Sequence, residues 1–156
     1  MSNVTAIDNA ELRELYRELI LDHARKPRHF GKLDDVTHDA DGINPLCGDK
    51  LHLYLQLRND VISNIAFEGS GCAISMASAS LMTDTIIGRT VDDALNLYDN
   101  VTARLTGNAN AGDAELGKLS ALEGVRDFPS RVKCATLAWH ALRAAVTKQA
   151  LPASTE

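Results

Sequence analysis

The sequence predicts an α+β fold. Two strand-like segments joined by a tight turn, within residues 51–68, form an antiparallel hairpin, and segments with helical spacing lie both before and after it.

From Asn9, NAELRELYRELILDHARKP sets Leu12, Leu15, Tyr16, Leu19 and Ile20 at three- and four-residue intervals, the apolar stripe of an amphipathic helix that ends before Pro27. The following RHFGKLDDVTHDADGINPLCGD is rich in turn residues, with room for one short strand ahead of Cys47. In LHLYLQL, Leu51, Leu53, Leu55 and Leu57 alternate with His52, Tyr54 and Gln56, the period of a half-buried strand. Asn59 and Asp60 supply the turn, and VISNIAFE returns as the second strand.

EGSGCAISMASASLMTDTIIGRT opens with small residues and then spaces Ala73, Met76, Ala77, Ser80 and Leu81 as a helix. Cys72 falls in its first turn, where free amide hydrogens and the positive end of the helix dipole favour a thiolate. TVDDALNLYDNVTARL reads as a shorter helix and TGNANAGDAELGK as a surface excursion. The last long helix runs from about Pro129 through SRVKCATLAWHALRAAVTKQA, with Cys134 in its first turns. No repeat or linker divides the chain, so residues 1–156 read as a single domain with flexible ends at about 1–8 and 151–156.

A chain of 156 residues that is 45% hydrophobic can bury a core without disulfides or metal, so a metal would serve function first. The formal net charge of -5 and the lack of a Lys/Arg cluster argue against a nucleic-acid partner. The opening MSNVTAIDNAELRELY has no basic segment followed by an apolar one, and no apolar run reaches the length of a membrane span. The expected location is the cytoplasm, with no membrane partner. In that reducing compartment three cysteines read as thiols or metal ligands.

Cys47 stands between Pro45 and Gly48, which break periodicity and favour an accessible loop, and Asp49 follows two residues later. Three thiols and one carboxylate make a plausible tetrahedral set. Zinc accepts Cys and Asp in this number and a 2Fe-2S cluster also takes four protein ligands, so the donor types leave both open. The plainer alternative makes Cys72 and Cys134 small core residues, and no C-x-x-C knuckle speaks against it. His23, His29, His38 and His52 read as surface or partner-facing residues, and His140 lies almost two turns beyond Cys134. GSGCAIS lacks the third glycine of a dinucleotide loop and the Gly-Lys-Ser/Thr of a phosphate loop, which leaves a phosphate site weakly supported.

The motifs ILDHARKPRHFG, NPLCGDK, FEGSGCAISMASASLMT and GVRDFPSRVKCATLAWHAL together resemble the SufU-type branch of the IscU/NifU-like iron-sulfur cluster assembly proteins, from about Leu15 to Leu142. The resemblance implies a small antiparallel β-sheet with helices packed on one face and a metal site at one end. It also implies that Cys47, Asp49, Cys72 and Cys134 are the ligands, holding Zn2+ or, alternatively or transiently, iron or a 2Fe-2S cluster. IscU-like scaffolds carry a histidine immediately before the last cysteine, where this chain has Lys133. The stretch between Arg104 and Arg126, including ALEGVRDFP, is similar to the SufU-type insertion.

Both features shift the implied function toward a zinc-dependent sulfur acceptor, a sulfurtransferase taking persulfide sulfur from a SufS-like cysteine desulfurase. Other iron-sulfur assembly proteins and apoprotein acceptors would stand downstream. In this reading Cys47 is the mobile nucleophile, because its Pro/Gly loop can move while Cys72 and Cys134 sit on helices, and a zinc-bound thiolate must loosen before it attacks. Arg131, one helical turn before Cys134, is the candidate cation beside the reacting thiolates, with Lys133 next to it. Two alternatives use the same ligands: a scaffold that assembles and hands on a 2Fe-2S cluster, and a structural zinc module that binds a protein.

Overall fold

Alternation of buried and exposed residues builds the sheet. In the computed structural model, which describes residues 9–107, 116–147 and 153–154, β1 (His38–Asn44), β2 (Asp49–Arg58) and β3 (Val61–Ser70) pair antiparallel in the order β3-β2-β1. Leu51, Leu53 and Leu55 of β2 face the core beside Ile65 and Phe67 of β3, while His52 and Tyr54 stand on the outer face. Asn59 and Asp60 both take positive φ, 52° and 64°, the mirror-image turn whose twist suits a hairpin.

A further strand, β4 (Ala153–Ser154), pairs in parallel with Gly42 and Ile43 at the free edge of β1. Two residues of the expected flexible end are therefore tied to the sheet, because an open strand edge offers unpaired backbone groups to any segment that reaches it. The expected flexible end at 1–8 lies outside the described residues, as do residues 108–115 of the expected surface excursion and the last turn of the final helix beyond Thr147.

The helices α1 (Asn9–Arg25), α2 (Ala73–Ile86), α3 (Val91–Leu105) and α4 (Pro129–Thr147) fall where helical spacing predicts them, and they cover one face of the sheet. α4 crosses β1 and β2, α2 lies beside α4, and α1 packs over α2. Small residues let these elements approach. A Cβ on Gly42 would sit 3.2 Å from Leu137 Cδ1 and 3.4 Å from Ala141 Cβ, so α4 passes close above β1. Between α2 and α4, fully buried Trp139 donates its indole N–H to Ser78 Oγ at 3.2 Å, and Ser78 donates to the Ala135 carbonyl at 2.5 Å. Among the described residues no helix is long and apolar enough to cross a membrane.

Three expectations need correction. Leu15 is 56% exposed, so the buried stripe of α1 is narrower than its periodicity implies and runs through Leu19 and Ile20, where the helix meets the core. The excursion after α3 ends in core residues: Leu116 is buried, and a 3-10 segment, Gly117–Val125, buries Leu119, Ala121, Leu122 and Val125. His23 is a core residue, 1% exposed, with Nδ1 2.7 Å from Ser80 Oγ. That hydroxyl also accepts the Arg28 N–H at 2.8 Å. The other three histidines expected at the surface are only partly buried, and His52 is held on the outer sheet face by Asp39, at 2.7 Å, and Asp41.

Burial, and then the nearby Arg28 charge, lowers the His23 pKa from its ordinary 6.5. The unfolded chain therefore binds this proton more readily than the folded one. The corresponding stability is fully present above the unfolded value and is lost as pH falls from there through the depressed folded value. Urea unfolding at about pH 7.5 and about pH 5.5 should show a smaller loss of stability on acidification in His23→Gln than in the unaltered protein. Equal losses would place His23 titration outside the folding equilibrium.

Candidate metal centre

At one end of the sheet, β1 and β2 close on their last rung, Asn44 opposite Asp49. Pro45, Leu46, Cys47 and Gly48 form the loop between them, with Gly48 at φ 73° and its N–H donated to the Asn44 carbonyl at 2.9 Å. This short connection leaves Cys47 exposed at its tip beside Leu46, which is 64% exposed.

Cys72 caps α2 rather than entering its first turn: its backbone is extended, at φ -72° and ψ 167°, and Sγ accepts the Ser75 N–H at 3.4 Å. Cys134, in the second turn of α4, is 3% exposed. The three cysteines thus come from a loop, a helix cap and a helix interior.

These elements bring three of the four predicted residues into one group. Single donor atoms of Cys47, Asp49 and Cys134 all lie within 4.8 Å of one another, and the sulfurs of Cys47 and Cys134 are 3.6 Å apart. Cys72 stands outside this trio but next to it, with Sγ 3.9 Å from Asp49 Oδ2. Asp49 has no exposed surface, and its Oδ1 accepts the Cys72 N–H at 2.9 Å. Burial pushes the Cys134 thiol far above its usual range, and Asp49, Cys72 and Cys47 push it the same way.

A buried carboxylate surrounded by three ionisable thiols is a poor place to accumulate negative charge without a cation. Soft sulfur donors with one oxygen donor suit zinc or iron, so the donor set fits a metal of this kind. The two expected cations make contacts of their own. Arg131 sets its guanidinium 5.0 Å above the centre of the exposed Phe128 ring, and Lys133 lines a separate cavity of about 390 Å³ with Arg126 and His140.

Two contributors escaped the sequence reading. Gly71 leaves room for the carboxylate, and its only mark in the sequence is its place in the glycine-serine run before Cys72. Asn44 is fully buried and donates Nδ2–H to Cys134 Sγ at 3.6 Å. A polar residue at an inward position of β1, next to the cysteine loop, was the available clue.

The NifU-like N terminal domain family matches residues 15–150 of this chain. The zinc-dependent sulfurtransferase SufU of Bacillus subtilis (strain 168) is 43% identical over 141 residues, covering 90% of this chain and 95% of that protein. An iron-sulfur cluster assembly scaffold protein IscU of Streptococcus pyogenes serotype M1 is also 43% identical, covering 90% of this chain and 88% of that protein. The crystal structure of the N-terminal part of a nitrogen-fixing NifU-like protein from Brucella abortus superposes with a TM-score of 0.78 at 27% identity, covering 88% of this chain and 95% of that one.

A Cβ on Gly71 would lie 2.5 Å from Asp49 Oδ1 and 2.9 Å from its Cγ, so Gly71→Ala must displace the carboxylate. The variant should fold, by circular dichroism, while its affinity for Zn2+ falls at least about tenfold in a chelator competition. An unchanged affinity would show that the position of Asp49 does not govern metal binding.

Proposed function

Because the chain belongs to the NifU-like N-terminal domain family, we propose that it is a zinc-dependent sulfur acceptor in iron-sulfur cluster biogenesis, working as one domain in the cytoplasm with a cysteine desulfurase. The observation that carries this reading is the pairing of an exposed thiol on a short loop, Cys47, with a buried thiol 3.6 Å away, Cys134. The name of the Bacillus subtilis relative supports it.

Cys47, Asp49, Cys72 and Cys134 would hold the zinc, which when bound keeps the thiols deprotonated near neutral pH. In the transfer, the Cys47 thiolate attacks the outer sulfur of the desulfurase persulfide. An S–S bond forms at Cys47 while the bond between the desulfurase cysteine and that sulfur breaks, and the desulfurase cysteine departs as a thiolate. One sulfur atom moves and no electrons are gained or lost overall. Asp49, fixed by the Cys72 amide, keeps its place on the rigid side of the site. Arg131, seated on Phe128 one turn before Cys134, is assigned to offsetting the negative charge of the thiolates and Asp49.

The scaffold reading uses the same donors and is favoured by the name of the Streptococcus pyogenes relative. A closed structural zinc site fits less well with an exposed Cys47. Sulfur or clusters would pass onward to other assembly proteins and apoprotein acceptors.

Metal analysis of the untagged protein should find about one zinc per chain and no visible chromophore. Cys47→Ser should abolish the stimulation of desulfurase alanine production, because an alcohol is a far weaker nucleophile toward sulfur than a thiolate. Trapping the thiols and mapping added sulfur by mass spectrometry should place it on Cys47. Sulfur confined to Cys72 or Cys134, or full stimulation by Cys47→Ser, would contradict the assignment, and cluster assembly with no stimulation would favour the scaffold.

A further inference from the structure

Cys47 and Cys134 lie 3.6 Å apart, so a sulfur atom delivered to this end of the molecule meets both. Something must distinguish them. Asn44 touches the elements that carry both thiols: its carbonyl accepts the Gly48 N–H at 2.9 Å and so closes the Cys47 loop, and its Nδ2–H points at Cys134 Sγ, 3.6 Å away. The same side chain is fully buried, and among the described residues its Oδ1 has no hydrogen-bond partner. A buried acceptor left in that state is destabilising, and an apolar residue of similar volume would fill the place without the cost. The amide is therefore better explained by what its N–H does to the sulfur than by its contribution to packing.

We propose that Asn44 is a positioning and selectivity residue that makes Cys134 the retained thiol and leaves Cys47 as the acceptor. The inference rests on the sulfur-acceptor reading above. A hydrogen bond donated to a thiolate draws electron density from the sulfur and lowers the energy of its lone pairs, which weakens it as a nucleophile. It also fixes the orientation of the side chain, as partners behind metal ligands do. Cys47 has no such donor from Asn44, whose contact with its loop goes through the backbone alone.

Two apolar variants remove the donor without adding charge, Asn44→Val and Asn44→Leu, so that either reports if the other fails to fold. With cobalt(II) as the probe metal, the thiolate-to-metal charge-transfer absorption should move to lower energy in the variants, because the sulfur lone pairs are no longer stabilised. A purely structural role would change melting without moving this band. With desulfurase and cysteine, sulfur mapped by mass spectrometry should be confined to Cys47 in the unaltered protein and should rise at least about tenfold at Cys134 in the variants. An unmoved band in the folded variants, or sulfur still confined to Cys47, would overturn the role of Asn44. Absence of sulfur from every cysteine of the unaltered protein would overturn the acceptor reading itself, a result distinct from either of these.

Discussion

The hydrogen bond from the Cys72 amide to Asp49 Oδ1 joins the start of β2 to the start of α2, and it does so with a carboxylate that has no contact with water. Removing such a group from solvent is costly unless its oxygens find donors or a cation, so the surrounding chain is constrained to supply them. Gly71 has to lack a side chain, the last rung of β1 and β2 has to hold Asp49 in register with Asn44, and α4 has to cross near enough to bring Cys134 alongside. The architecture of this end follows from placing one acid between a strand and a helix cap.

The rest of the molecule keeps that end in place. α4 lies so near β1 that a Cβ on Gly42 would press on Leu137 Cδ1 at 3.2 Å, and its spacing from α2 is set by alanines, serines and the Trp139–Ser78 bond. Interiors packed this closely resist displacement. Two of the thiols therefore sit on a stiff frame, and the third sits on a loop outside it.

Where periodicity was strong, the sequence was readable: the leucines of β2, the Asn59–Asp60 turn and all four helices stand where their patterns place them. The misreadings have physical causes. His23 lies on the same stripe as Tyr16, Leu19 and Ile20, so its burial is written in the spacing, against the usual preference of histidine for partial exposure. Leu116, Leu119, Leu122 and Val125 recur every three residues, the period of a 3-10 helix, and only the first of them lies within TGNANAGDAELGK, whose glycines and asparagines suggest a loop. The approach of Cys134 to Cys47 was legible only through family resemblance, because the two are separated by 87 residues and nothing in local spacing says that α4 turns back over β1. Asn44 was hidden for a similar reason, its partner being 90 residues away.

The Cys47 loop is anchored at both ends by a strand rung, and this sets a radius. Only one residue separates Cys47 from Asp49, and a chain extends at most about 3.3–3.6 Å per residue, so the Cys47 backbone stays within roughly 7 Å of the Asp49 backbone however the loop bends. Cys47 is thus a thiol on a leash, quite unlike a carrier on a long swinging arm. A protein exchanging sulfur with it has to bring its own reactive atom to this rim, past the exposed side chain of Leu46. The distance that sulfur travels is then decided by how deeply the visitor seats.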